Sequence, residues 1–283
     1  VGLMHSMRRW SGFLPGLAIP LLLLLWWMIA AGGGESSILP PPGEVAGVLA
    51  HPFTDLMSAG SLAWNTAVSL VRICLGFLLA VAFGIPAGLL MGASRPVRKL
   101  LTLTVEMARP LSAIALIPLS IILFRSRTLS QILGMGHLRY QRHMLNEIQL
   151  GMVFILFWGG VFPIILDTMQ GVRSVRRLHI EAATVLGARR SFIFRHVLLP
   201  SALPDIFHGL RMSIGRCWMV IVAAEMLPGT NSGIGYMISY SYQLSRYEVM
   251  LACLVIVGVI GAVFSKGLEV LGERSLVLRS RER

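Results

Sequence analysis

Apolar runs of about 20 residues, separated by short polar segments, set the pattern of the chain. Read in windows of about 19 residues, they fall at roughly 13–31, 65–92, 101–124, 148–168, 203–227 and 249–271. Each is near the length a helix needs to cross a hydrocarbon core of about 30 Å. The pattern predicts an all-α membrane protein with six transmembrane helices. Residues 1–12 are expected to form a cytoplasmic amino-terminal segment, 13–271 the transmembrane domain and 272–283 a basic cytoplasmic tail.

Local signals refine the pattern. The first run follows Arg8 and Arg9 like a signal peptide, but it carries Trp26 and Trp27 near its far end and lacks an A-x-A-like cleavage pattern, so it is expected to be retained as a helix. Pro40, Pro41, Pro42 and Gly43 end any helix there. In the second run Gly76, Gly84, Gly88 and Gly92 sit on a four-residue grid. That stripe of bare backbone invites close packing by another helix.

Composition agrees with the bilayer. The chain of 283 residues is 55% hydrophobic and only 13% charged, with a mean hydropathy of +0.74, whereas soluble domains approach a quarter charged. The net charge of +12 is spread through the segments between apolar runs, which suits positive-inside sorting rather than nucleic-acid binding. With a cytoplasmic amino terminus, Arg125, Arg127, Arg139, Arg142 and Arg246 fall outside. The other loop and terminal basic residues, including Arg95, Arg98, Lys99, Arg173, Arg176, Arg177, Arg189, Arg190 and Arg195, fall inside. Both termini are therefore expected in the cytosol. Loop 125–147 is an exception to the rule, external yet basic. Cys74, Cys217 and Cys253 lie inside apolar runs without CxxC spacing, and the histidines lack HxxxH spacing; neither a disulfide framework nor a metal site is indicated.

Several charges lie within the runs: Arg72, Arg109, Arg211 and Arg216 against Glu106, Asp167 and Glu225. Each central arginine costs roughly 2.5–3.5 kcal/mol on insertion scales, so these side chains must meet partners or water. Glu106 stands one turn before Arg109 and can pair with it; Arg72 and Glu225 lie at matching depth and can pair between helices. Two readings stand side by side. The charges fix helix packing, or Arg72, Arg109, Arg211, Arg216 and Glu225 line a path whose positive excess favours an anion. Met212, Trp218, Met219 and Met226 read as packing residues.

The segment of about 173–200 has too much internal pattern for a plain connection. Leu178, Ala182, Val185 and Leu186 share a helical face, Gly187 suits a helix end, Ser191 can cap a second helix and Pro200 can stop it. Ala182 and Ala183 permit close approach by a partner, and Glu181 can tie the turn through hydrogen bonds.

Glu181-Ala182-Ala183, Gly187 and Leu199-Pro200 resemble the EAA loop of permeases from binding-protein-dependent ATP-binding-cassette (ABC) importers. The likeness extends along the chain through Leu39-Pro40-Pro41-Pro42, Ser69-Leu70-Val71-Arg72 with Gly76, Arg109-Pro110 through Pro118-Leu119, Gly209-Leu210-Arg211, Ala224-Glu225 and Gly233-Ile234-Gly235. It narrows to the branch importing nitrate, taurine, alkanesulfonates and bicarbonate, and departs from it after Phe124, where a longer basic segment replaces a short glycine-containing turn. The resemblance implies a type I ABC importer permease fold in a bacterial inner membrane, working as a dimer. It also implies two separate ATP-binding cassette subunits seated on Glu181, Ala182, Ala183, Gly187, Leu199 and Pro200, and a periplasmic or lipid-anchored solute-binding protein. ATP and Mg would be bound by the ATPase, because this sequence contains no G-x-x-x-x-G-K-[ST] loop. The rival readings are a secondary transporter driven by an ion gradient, with broken spans and an inverted repeat, and a non-transporting membrane scaffold.

Overall fold

A computed structural model describes residues 24–32, 39–55, 57–125, 127–132, 134, 144–227 and 230–280, with the side chains at 271 and 273–280 left undescribed. Residues 13–23 of the first run and His137, Arg139, Arg142 and His143 of the basic loop lie outside this set. Among the described residues the fold is helical, with two isolated backbone bridges, Asp55 to Ser61 and Thr128 to Gln149.

Residues 24–32 are helical, and the Trp26 indole N–H donates to the Pro40 carbonyl at 3.1 Å. Helix α1, Pro42–Ala50, opens on a proline, whose missing N–H costs nothing at a first turn. Helix α2, Leu62–Ala93, begins at Ser61, whose hydroxyl accepts from the Trp64 amide. It extends the predicted second span by only a few residues. Helix α5, Leu150–Arg173, likewise realises the fourth.

The third span is not one helix. The chain forms α3, Arg95–Ala108, then turns through Arg109, Pro110, Leu111 and Ser112, passes a 3-10 turn at Ile114–Leu116 and resumes as α4, Ile117–Phe124. Pro110 has no amide hydrogen, and its ring excludes the preceding residues from a regular continuation. Glu106 and Arg109 are both exposed, and no ion pair joins them among the described residues, although Arg109 keeps helical geometry at the C-cap of α3; an exposed pair of this kind gains little from closing.

The predicted fifth span also changes shape. Helices α6, Arg177–Val185, and α7, Arg190–Ile193, do form. However, α7 runs without interruption through a π turn at Phe194–Leu198 into α8, Leu199–Glu225, giving 36 continuous helical residues. Pro200 does not stop the helix. In the π turn the Leu199 amide reaches back to the Phe194 carbonyl, a wider loop that relieves the clash a proline makes with the carbonyl four residues earlier. Ser191 lies inside α7, and the cap position is Arg189, without a side-chain bond. Helix α9, Ile234–Gln243, and helix α10, Tyr247–Ser280, complete the fold. The α10 backbone crosses the expected tail boundary at 271 without a break.

Helix α5 is the central post. It runs parallel to α2, with Gly76 against Leu156, Gly84 against Ile164, Gly88 against Thr168 and Gly92 against Val172. A Cβ on those glycines would come within 2.3, 2.9, 2.6 and 2.6 Å of the opposing side chains, so the bare stripe sets the separation. Helix α8 packs antiparallel on another side of α5. A Cβ on Gly160 would meet Ser213 Oγ at 2.7 Å, and one on Gly171 would meet Asp205 Cβ at 2.8 Å. Ile73, Met152, Leu156, Ile214, Cys217, Trp218 and Ile221 form the apolar core where the three helices meet. A second cluster of Leu62, Ile234, Met237, Ile238, Val249 and Cys253 holds α9 and α10 against the start of α2.

Candidate functional site

Helix α6 stands off the bundle. None of its nine residues is buried, and Leu178, Val185 and Leu186 are 69%, 86% and 86% exposed. An apolar face with nothing against it marks a contact made elsewhere. The helix ends in a Schellman arrangement: Gly187 has φ +77°, its amide donates to the Thr184 carbonyl at 3.0 Å and the Ala188 amide donates to Ala183 at 3.0 Å. Only glycine adopts that φ without strain. Glu181 and Ala182 are exposed and Ala183 is half-buried. The Glu181 carboxylate accepts no hydrogen bond within the described chain, so the tie expected from the sequence is not made there. Between α6 and α7 lies a concavity of about 750 Å³, lined by Ala183, Leu186, Ala188, Phe192, Arg195 and His196 among others. The Phe192 and His196 rings, one turn apart on the same helix, stack at 4.1 Å on one wall of it. Leu199 packs with Val172, Ala202 and Ile206 at the base of α8, beside Pro200.

A buried charge hub occupies the opposite end of the bundle. Arg72 of α2 is 1% exposed, and its Nη1 donates to Glu225 Oε1 at 2.7 Å and to the Ser232 carbonyl at 2.9 Å. Its Nη2 donates to Ser232 Oγ at 2.9 Å, and both Nη2 and Nε reach the Glu147 carbonyl. Glu225, at the end of α8, also accepts from Ser69 Oγ and from the Gly235 amide at 3.0 Å. The Gly233 amide donates to Asn65 Oδ1 and the Ile234 amide to Ser69 Oγ, each at 2.8 Å. Three successive amides at the start of α9 thus face polar side chains from other elements, as helix amino termini are disposed to do. Gly233 has φ +113°, and a Cβ there would lie 2.3 Å from Glu225 Cδ. The hub joins α2, Glu147 in the segment leading into α5, the end of α8 and the turn into α9.

The expected Arg72–Glu225 pair is therefore present, but it is one element of a larger constellation that sequence reasoning missed. Asn65, Glu147 and Ser232 carry no motif by themselves. The available signals were Ser69 within Ser69-Leu70-Val71-Arg72 and Gly233-Ile234-Gly235, the latter reading first as a plain tight turn. The other candidate path residues scatter. Arg211 pairs with Glu269 of α10 at 3.3 Å and donates to Ser265; Asp167 meets His208 at 2.9 Å. Arg109 and Arg216 are exposed, and their side chains make no ion pair or hydrogen bond among the described residues. Trp218 packs in the core with its indole N–H on the Val257 carbonyl at 2.9 Å. Met212, Met219 and Met226, expected to pack, are 46%, 74% and 44% exposed.

Among the described residues four helices are long and apolar enough to cross a bilayer, and with the interrupted α3–α4 span they define a polytopic helical membrane permease. The chain belongs to the family of binding-protein-dependent transport system inner membrane components, whose model matches residues 84–274. It is 41% identical over 235 residues to a putative ABC transporter permease of Methanocaldococcus jannaschii, covering 83% of this chain and 80% of the relative. It is 33% identical over 210 residues to the taurine transport system permease protein TauC of Escherichia coli, covering 74% and 68%. A putative aliphatic sulfonates permease protein of Bacillus subtilis is 30% identical over 273 residues, covering 96% and 90%. The fold matches a chain of the inward-facing MetNI methionine ABC transporter, with a TM-score of 0.58 at 18% identity, covering 75% of this chain and 94% of that one. The protein is thus an ABC importer permease subunit and not itself a catalytic enzyme; the ion-gradient transporter and scaffold readings fall away.

Proposed function

We propose that two copies of this chain form the translocation unit of an importer for a small oxyanion. Separate ATP-binding cassette subunits, which bind ATP and Mg, seat on the α6 helix and the concavity beside it. An extracytoplasmic binding protein delivers solute to the hub end, and both termini lie in the cytosol. The exposed, Schellman-capped α6 carries the proposal. Glu181, Ala182, Ala183 and Gly187 form the seat, while Leu199 and Pro200 join it to α8. From Arg190 to Glu225 the helix is continuous, ~54 Å at 1.5 Å per residue. A displacement passed from the seat across the turn at 186–189 to α7 therefore reaches the hub as rigid-body motion of one helix.

The charge pattern supports the orientation, because the basic segments between apolar runs gather on the α6 side. Solute class rests on Arg109 and Arg216, which have no acidic partner among the described residues, and on relatives named for taurine, sulfonates and bicarbonate. The test is solute-stimulated ATP hydrolysis and uptake in proteoliposomes containing the chain, its ATPase and its binding protein, with taurine, ethanesulfonate and bicarbonate as probes. Ala183→Trp, which fills the seat, is expected to abolish stimulation while leaving the bundle folded. Normal stimulation with Ala183→Trp would remove α6 as the seat.

A further inference from the structure

Of the four arginines within the apolar runs, Arg109 and Arg216 have no partner among the described residues, and they stand at the same depth although 107 positions separate them in the chain. Around Arg216, α8 packs on the middle of α5: a Cβ on Gly160 would touch Ser213 and Cys217, and one on Gly159 would lie 3.3 Å from Val220. The α3–α4 break meets the same turn of α5. Trp158 Nε1 donates to the Leu111 carbonyl at 3.4 Å, and the Gly159 Cβ position lies 3.6 Å from Ala113 Cβ. Ala113 and Val220 share one apolar cluster there. Gly159 is ~13 Å from the Leu150 end of α5 and ~21 Å from the Arg173 end, so neither level is near an interface. On the exposed face of α8, Met212 and Met219 flank Arg216 one turn to either side, and beside it Gly215 has nothing within 4 Å of its Cβ position.

An unpaired guanidinium at this depth is costly against lipid, too far from either surface to snorkel easily, and marks water or a ligand. We propose that Arg109 and Arg216 form a water-accessible, mid-depth binding site for a small oxyanion, either a sulfonate or a carboxylate-like anion, with Met212 and Met219 as its apolar rim. This inference rests on the transport reading and adds to it the place where the solute stops. The planar guanidinium suits oxyanions because it offers paired N–H donors. Glu106, exposed one turn before Arg109, subtracts one charge and leaves a modest positive excess. A moderate field fits a site that must release its solute as well as bind it. The other intramembrane arginines are unsuited to this role, since Arg72 is enclosed by the hub and Arg211 is neutralised by Glu269.

The test reads local potential and needs neither a known solute nor the ATPase, so its outcome is independent of the coupling experiment. In full-length protein in membrane vesicles, in a Cys74→Ala background, Met219→Cys is reacted with sulfonatoethyl and trimethylammonioethyl methanethiosulfonate. Each rate is divided by that of a free thiol, and the parent without Met219→Cys sets the background. The anionic reagent is expected to be favoured by ~10-fold, a preference of the size a nearby net positive charge produces in a partly solvated cleft. Arg216→Gln and Arg109→Gln each lower that preference, Glu106→Gln raises it and Lys99→Gln leaves it unchanged. Ethanesulfonate or bicarbonate slows the labelling, and tetramethylammonium does not. Met212→Cys repeats the measurement should the first variant fail to insert. Overturning results are no reaction with either reagent at both positions, a preference indifferent to the two arginines, equal loss with Lys99→Gln, or no protection by either anion.

Discussion

Glu225 illustrates how a buried charge is held by geometry rather than by its partner alone. Its carboxylate receives Arg72, Ser69 and the Gly235 amide, so removing the arginine leaves a buried acid with only neutral donors. Arg72→Met is expected to destabilise the detergent-solubilised protein by ~3–5 kcal/mol, while the double change Arg72→Met with Glu225→Met costs markedly less, because no lone charge remains. Thermal unfolding of the two single variants and the double variant checks this, and additive losses would show the pair is not energetically coupled. At Gly233 backbone and space agree: φ is +113° and an added Cβ would lie 2.3 Å from Glu225 Cδ. Gly233→Ala should therefore lower the melting temperature sharply. Gly258→Ala, on α10 with nothing within 4 Å, should raise stability by up to ~1 kcal/mol, as helix propensity dictates.

Between elements, two sequence features act through packing in different ways. The α2 glycines meet α5 across its length, so Gly84→Leu or Gly88→Leu must push the helices apart; a loss of ~3 kcal/mol or more is expected, beyond ordinary overpacking because backbone as well as side chain lies opposite. Wild-type stability in either variant would contradict the close α2–α5 approach. The π turn at Phe194–Leu198 acts instead on rotation. Pro200→Ala restores an amide hydrogen and removes the ring, so a regular α turn becomes possible and α6–α7 would rotate by ~100° relative to α8, one residue of helical register. The expected result is an ATPase that still binds but whose hydrolysis responds less to solute, measured in proteoliposomes. The glycine grid was legible because spacing alone places residues on one helix face. The π turn was not, because a proline in a long apolar run reads first as a stop, and only the packing of Leu198 and Leu199 against Val172, Ala202 and Ile206 shows why the helix continues past it.

Across the whole molecule, α8 links the exposed seat at one end to the hub at the other, and the unpaired arginines face away from the core between them. A cross-link that fixes α2 to the hub turn at the start of α9, formed by Ser69→Cys with Ile234→Cys, is expected to stop uptake without preventing ATPase binding. Uptake at the wild-type rate with the bond formed would mean that the hub does not move in the cycle. The six apolar runs determined the membrane environment, the helical class and the limits of α2 and α5 to within a few residues, since a bilayer demands length and hydrophobicity, both local properties of a chain. The Glu181-to-Pro200 pattern determined in the same way where a short helix would form and that Gly187 would end it. Which charges are satisfied and which stand open was decided only by the tertiary structure. Arg72, Arg109, Arg211 and Arg216 are equivalent in sequence, each an arginine in an apolar run. What distinguishes them is the neighbour that packing brings into reach: a carboxylate at 2.7 Å for Arg72 and at 3.3 Å for Arg211, and none among the described residues for Arg109 and Arg216, which are exposed. Electrostatic fate depends on distance in space, and in a helical bundle that distance is set by how helices far apart in the chain come together.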